Sequence, residues 1–123
     1  MIRLIHCVRK RDDLSLEEFR QYWDSGEFAQ SIESMARLVG ALGFAINATL
    51  AVGANQMLME MRSLGDQFDG VIEYWWDSAA HVTDVTQGDE FSKLRAENEA
   101  YQSQFIAMDQ SVLFFTEGDR QTC

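Results

Sequence analysis

The sequence has 123 residues, of which 46% are hydrophobic, and a formal charge of −10 from 20 acidic and 10 basic residues. This length predicts one domain, over residues 1–118, with a flexible tail at 119–123. The negative charge disfavours nucleic acid and anionic membrane surfaces as partners. Two cysteines give no disulfide framework, and neither a signal peptide nor a membrane-spanning run is recognised, so we expect a cytoplasmic protein.

The first half of the chain has the pattern of a strand, a helix and a second strand. Residues 1–9 are apolar and β-branched, which is typical of a strand. Ser15 and Glu18 have the spacing of a capping box, and apolar residues then follow a helical period to Val39, with one offset at Ser25-Gly26. Residues 41–52 alternate as a second strand, whose apolar face would include Leu42 and Leu50.

The second half repeats this order. The methionine-rich connection 53–67 could hold a short helix, and whether it is a lid is left open. A third strand is predicted over 68–78, helical segments over 78–87 and 88–107, and a fourth strand over 110–118.

The order β-α-β-β-α-β predicts an α+β, ferredoxin-like fold, with an antiparallel sheet that carries helices on one face. The opposite face of the sheet would also be apolar. Because one chain cannot cover that face, we expect a homodimer in which two sheets pack together. The residues expected at this interface are Ile5, Cys7, Ala45, Val71 and Trp75.

Isolated polar residues among aromatic ones are the candidates for chemistry. The sequence has no metal-ligand spacing and no phosphate-binding motif, so we expect no cofactor. Glu27 lies close to Trp23 and Phe28, and an apolar pocket would raise the pKa of its carboxyl group, as suits a general acid or base. The alternative is an exposed glutamate on a helix. His6, in an apolar strand, is either a proton shuttle or a hydrogen-bonded core histidine.

Aromatic side chains are the expected walls of a substrate pocket, with packing in the core as the alternative for each. The candidates are Phe19, Trp23, Phe28, Tyr74, Trp76 and Phe91.

Three segments resemble EthD-like proteins, a branch of the dimeric α+β barrel superfamily. They are "MIRLIHCVRKRDDLSLEEFRQYW" at the start, "FDGVIEYWWDS" in the third strand and "VLFFTEG" near the end. The resemblance extends over nearly the whole chain and implies a homodimer with two sheets packed into a barrel.

One departure from the family pattern concerns the candidate catalytic group. The resemblance places a histidine four residues after the tryptophan of "YW", and here Glu27 occupies that position. The family's usual proline is also absent, since the chain has none. The interruption at Ser25-Gly26 is therefore interpreted as a pocket-lining feature. His81 is a weak candidate for the haem ligand that some branches of the superfamily use.

The resemblance implies that the protein binds an apolar or aromatic carbonyl metabolite. We expect cofactor-free acid–base chemistry of the isomerase, cyclase or lyase type, with Glu27 as the general acid or base and His6 as its partner. Two alternatives remain open: a non-catalytic binding or accessory dimer for an oxygenase system, and a cofactor-independent monooxygenase.

Overall fold

The computed structural model describes residues 1–50, 53–62, 67–80, 82 and 88–118. The strands are β1 (Ile2–Val8), β2 (Gly43–Ala48), β3 (Gly70–Trp76) and β4 (Val112–Glu117). The helices are α1 (Leu16–Trp23), α2 (Gly26–Leu38), α3 (Gly53–Met61) and α4 (Asp89–Gln102), and a 3₁₀ turn covers Met108–Gln110. The predicted tail at 119–123, and most of the helix predicted over 78–87 with His81, lie outside the described residues.

The four strands form one antiparallel sheet in the order β2-β3-β1-β4, which confirms the predicted ferredoxin-like, α+β arrangement. β1 and β3 are the central strands. Their register pairs Leu4 with Tyr74 and His6 with Ile72, so these four side chains point to the same face of the sheet. That face of the sheet contacts the helices. The connection after β2 contains the short helix that the sequence suggested, which is α3.

The interruption at Ser25-Gly26 is the boundary between two helices. The Ser25 hydroxyl accepts a hydrogen bond from the Phe28 amide at 3.2 Å and donates one to the Tyr22 carbonyl at 2.7 Å. It therefore caps the start of α2 while it satisfies a carbonyl at the end of α1. The capping box predicted at the start of α1 is confirmed, since Ser15 and Glu18 exchange hydrogen bonds of 3.0 and 3.1 Å.

The second strand is shorter than the alternating pattern predicted. Phe44 and Ile46 pack against the core as expected. Leu42 and Leu50 lie beyond the two ends of β2 and are exposed, so their prediction as part of the apolar face is wrong. Alternation alone extended the strand too far because these leucines continue its period beyond the paired residues, which end at Gly43 and Ala48.

One end of the helix–sheet layer is filled by a cluster of aromatic rings around Phe105, which is fully buried. Its ring contacts those of four neighbours at centroid distances of 4.9–6.0 Å: Phe19, Tyr22, Phe28 and Tyr101. Trp23 packs against both Phe19 and Phe28 and lies over Gly70. These rings bury a large apolar area, which ties α1, α2 and the segment after α4 to the sheet.

Candidate functional site

A cavity of about 510 Å³ lies at the other end of the layer, between the sheet and helices α2 and α4. β1, β3 and β4 form its floor, and α2 and α4 form its walls. Its volume falls within the range of small-molecule sites, which are mostly apolar with a few placed polar groups. The apolar lining includes Leu4, Met35, Val39, Trp76, Phe91 and Phe115.

Trp76, at the end of β3, is a fixed part of the floor of the cavity. Its indole Nε1 donates a hydrogen bond to the carbonyl of Val39 at 2.9 Å, which joins β3 to the end of α2. Its ring contacts those of Tyr74 and Phe115 at centroid distances of 6.3 and 6.2 Å. This part of the floor is therefore held in place by a buried hydrogen bond and by ring packing, before any ligand enters.

Two titratable side chains stand on the floor of the cavity. His6 lies on the central strand β1, and burial lowers the pKa of its imidazole below the ordinary value of 6.5. Tyr74 lies on the neighbouring strand β3, and burial raises the pKa of its phenol. Both groups are consequently neutral at pH 7. Neither ring has a side-chain hydrogen-bond partner among the described residues, so each can donate to or accept from a ligand.

Helix α4 presents two buried amides to the same cavity. Asn98 and Gln102 are only 8% and 7% exposed, and they lie four residues apart on one face of the helix. Asn98 Nδ2 donates to the carbonyl of Ser31 at 3.4 Å, which fixes that amide against α2. Within the described ranges, the side chain of Gln102 makes no hydrogen bond.

The rim of the cavity is formed by an ion pair on α4 and by the edge strand β4. Arg95 and Glu99 are both part of the lining, and their side chains form a salt bridge of 2.9 Å near the surface. Leu113 and Phe115, on the edge strand β4, also contribute to the lining although both are largely exposed. The cavity is therefore open towards solvent on the β4 side.

The structure brings together four of the side chains that the sequence analysis selected: His6, Tyr74, Trp76 and Phe91 all line the cavity. It places the other three aromatic candidates elsewhere. Phe19, Trp23 and Phe28 belong to the filled aromatic cluster, where at most 4% of each side chain is exposed. For these three, the alternative of core packing is the one that the geometry supports.

Glu27 lies apart from the cavity. It is exposed in the first turn of α2, where its negative charge is next to the unsatisfied amides of the helix start. It is not among the residues that line the cavity with His6. The sequence suggested a pocket because Trp23 and Phe28 flank this glutamate, but both rings turn inwards while the carboxylate points to solvent.

The two amides on α4 are the functional candidates that the sequence analysis missed. A signal for them was present, because Phe91, Arg95, Asn98 and Gln102 follow the helical spacing i, i+4, i+7, i+11. Polar residues at positions that face the sheet indicate either a hydrogen-bonded core or a lined cavity.

Neither a metal centre nor a membrane span emerges from the described part of the chain. No group of three or more His, Cys, Asp or Glu side chains is close enough there to hold a metal ion. In the same ranges, no helix has both the length and the apolar composition that crossing a membrane requires.

No protein-family model matches the chain, and no curated protein matches it either. Solved structures do. A dimeric protein of unknown function with a ferredoxin-like fold from Bacteroides fragilis is 12% identical, with a TM-score of 0.61 over 95% of each chain. An ethyl tert-butyl ether degradation (EthD) family protein from Bacillus halodurans is 13% identical, with a TM-score of 0.59 over 97% of this chain and 99% of its own.

A dimeric ferredoxin-like protein of unknown function from Thermobifida fusca is 16% identical, with a TM-score of 0.56 over 94% of this chain and 88% of its own. At these identities the similarity concerns the fold. The EthD-like resemblance of the sequence is thus confirmed at the level of fold.

Proposed function

We propose that the protein binds a small apolar or aromatic molecule in the cavity between the sheet and helices α2 and α4. The observation that carries this proposal is the combination of an apolar lining with polar side chains that have no partner of their own. A cavity of about 510 Å³ has room for a bicyclic or tricyclic aromatic compound. The ring faces of Trp76 and Phe91 suit such a compound, because aromatic rings gain from stacking beyond the area they bury.

Binding is tested with 1-acetonaphthone, a neutral aromatic ketone, by isothermal titration calorimetry. Leu113→Trp places a larger ring at the open side of the cavity, and we expect it to abolish binding. The matched control is Leu42→Trp, at a leucine that is equally exposed, 59% against 60%, and does not line the cavity. Absence of binding to the wild-type protein, or equal binding to the two variants, contradicts the proposal.

A catalytic function follows if His6 acts as a general base. Its neutral imidazole could take a proton from the carbon next to a ketone carbonyl, and the Tyr74 hydroxyl could then donate a hydrogen bond to the enolate oxygen. In this step the C–H bond breaks, an N–H bond forms on the imidazole, and the electron pair moves to the oxygen. Reprotonation of the carbon returns the ketone, so no co-reactant is needed.

Exchange of the acetyl protons of 1-acetonaphthone in D₂O, followed by NMR, measures that step. Wild-type protein should accelerate the exchange, and His6→Gln should lower the acceleration by about 10²–10⁴-fold, the usual contribution of one positioned acid or base. Exchange that is unchanged in His6→Gln overturns the role of the histidine.

A non-catalytic carrier is the second candidate function. It is favoured by one observation: among the described residues no carboxylate hydrogen-bonds His6, so nothing orients or supports an imidazolium ion. Tight binding of the ketone without any exchange supports the carrier and excludes proton transfer at this carbon.

We also propose that two copies of the chain pair through the outer face of the sheet. Ile5, Cys7, Ala45, Val71 and Trp75 are half-buried on that face, and Val112 and Phe114 of β4 extend it with exposed apolar surface. The Bacteroides fragilis and Thermobifida fusca proteins of the same fold are dimeric. A mass of one chain by light scattering at micromolar concentration would contradict the pairing.

A further inference from the structure

The amides on α4 face the cavity, where a ligand can form hydrogen bonds with them. Gln102 is 93% buried, lines the cavity and has no side-chain hydrogen-bond partner among the described residues. When a ligand fills the cavity and displaces water, an amide in this position loses its hydrogen bonds to water unless the ligand replaces them. Asn98 has one side-chain hydrogen bond, to the Ser31 carbonyl, which leaves its Oδ1 available as an acceptor.

Among the described residues, the polar side chains inside the cavity, away from the ion pair at its rim, are electrically neutral at pH 7. The amides carry no charge, burial lowers the pKa of His6, and burial raises the pKa of Tyr74. Together these groups offer both donors and acceptors of hydrogen bonds, but they offer no charge to a ligand.

Arg95 is the cation among the described lining residues, and it is not available to compensate an anion. The side chain of Arg95 is 61% exposed at the rim, and its guanidinium already pairs with Glu99. An ionised carboxylate in the cavity would lose hydration and gain no unpaired opposite charge from the described lining residues in return. The protein as a whole carries a formal charge of −10, which also disfavours the approach of anions.

We propose that the cavity selects neutral ligands bearing a carbonyl or hydroxyl group, which the Gln102 amide recognises by hydrogen bonding, and that it rejects the same skeleton as a carboxylate. This inference rests on the proposed binding function and adds the charge and the polar group of the ligand to it. Gln102 is accordingly a specificity-determining residue, and it makes no covalent contribution.

Three compounds with one ring system test the selection: 1-acetonaphthone, 1-naphthoate and 1-ethylnaphthalene. They differ in having a neutral carbonyl, a charged carboxylate and no polar group. By titration calorimetry at pH 7 we expect the ketone to bind at least about 10-fold more tightly than the carboxylate. The hydrocarbon should bind more weakly than the ketone by about 3- to 10-fold, the usual effect of one hydrogen bond.

Gln102→Met removes the amide and keeps an unbranched side chain of similar length. We expect it to weaken binding of the ketone by about 3- to 10-fold and to leave binding of 1-ethylnaphthalene unchanged or slightly tighter. The control is Gln104→Met, at an exposed glutamine two residues further on, which should change neither affinity. The difference between the two probes separates a lost hydrogen bond from a general change in the cavity.

The outcomes distinguish this inference from the proposed function. Equal affinity of the ketone and the carboxylate, or a Gln102→Met variant that keeps full affinity for the ketone, overturns the selection but leaves a cavity that binds apolar molecules. Absence of binding for all three compounds overturns both. If Gln102→Met does not fold, the ranking of the three compounds on wild-type protein still decides the charge selection.

Discussion

The two ends of the helix–sheet layer are built from the same kinds of residue and differ in how completely they are filled. At one end the rings around Phe105 contact one another and leave no exposed surface on Phe105 itself. At the other end Tyr74, Trp76 and Phe91 surround a cavity of about 510 Å³ that opens beside β4. The filled end has the packing expected of a core, and the open end has the composition expected of a binding site.

The polar groups follow the same division. In the filled cluster the hydroxyl of Ser25 caps α2 and lies 3.3 Å from the Tyr101 hydroxyl, so these two groups have partners within the protein. In the cavity His6, Tyr74 and Gln102 lack side-chain partners among the described residues. Unsatisfied groups are costly in a core but are needed in a site, where the ligand supplies the missing partner. The filled end therefore contributes mainly to stability, and the open end has the groups needed for ligand recognition.

The largest expected effect comes from the same substitution made at both ends. Phe105→Ala removes a fully buried ring at the centre of the cluster, and we expect it to lower the free energy of unfolding by about 3–5 kcal/mol. Phe115→Ala removes a ring that is 55% exposed at the rim of the cavity and should cost about 1 kcal/mol or less. Urea denaturation of both variants measures the difference. Similar losses at the two positions would contradict the division into a filled and an open end.

A glycine beneath the cluster provides a second test of its packing. A Cβ atom at Gly70 would lie 2.6 Å from the ring of Trp23, which is only 4% exposed and cannot move aside. Gly70→Ala should therefore destabilise the protein by about 1–3 kcal/mol. Gly26→Ala is the matched control, since nothing lies within 4 Å of a Cβ there and the site is helical. A control variant that is as unstable as Gly70→Ala would show that the cost does not come from the contact with Trp23.

Much of the fold could be predicted from the sequence, because the spacing of apolar residues and the presence of helix-capping residues can be read from short stretches of chain. The alternation in "VIEYWW" assigns Ile72, Tyr74 and Trp76 to one face of β3, and these side chains are buried there. Ser15 and Glu18 mark the start of α1. The end of β2 was missed because Leu50 continues the alternation beyond the last hydrogen-bonded pair, and pairing is a tertiary property.

The candidate site was predicted only in part, because the sequence does not show which aromatic rings touch one another. Tyr74 and Trp76 line the cavity, whereas Trp23 and Phe28 pack in the filled cluster, yet all four are aromatic residues at positions facing the core. What separates the two pairs is where each ring lies along the layer, which depends on the docking of α2 and α4. The unpartnered amide of Gln102 becomes visible only once that docking is known.

The pH dependence of stability tests the apolar surroundings of His6. Its pKa is lowered in the folded protein and is near 6.5 in the unfolded chain, so between these two values the unfolded chain binds more protons. Stability should therefore fall as the pH drops below about 6.5 and level off below the folded pKa. His6→Gln should show a smaller loss of melting temperature from pH 7 to pH 5 than wild type. Parallel curves for the two proteins would mean that His6 is as well solvated as a free histidine.

The smallest expected effect concerns Glu27, the position that the sequence selected first for catalysis. Its carboxylate lies in the first turn of α2, where a negative charge interacts favourably with the helix dipole. Glu27→Gln should cost about 0.3–1 kcal/mol of stability at low salt, whereas Glu97→Gln, in the middle of α4, should cost less. Because Glu27 is exposed and outside the cavity lining, binding of 1-acetonaphthone and the exchange of its acetyl protons should stay unchanged. A 10²–10⁴-fold fall in exchange, of the order that one acid or base contributes, would instead place the chemistry at the helix boundary and leave the cavity to binding alone.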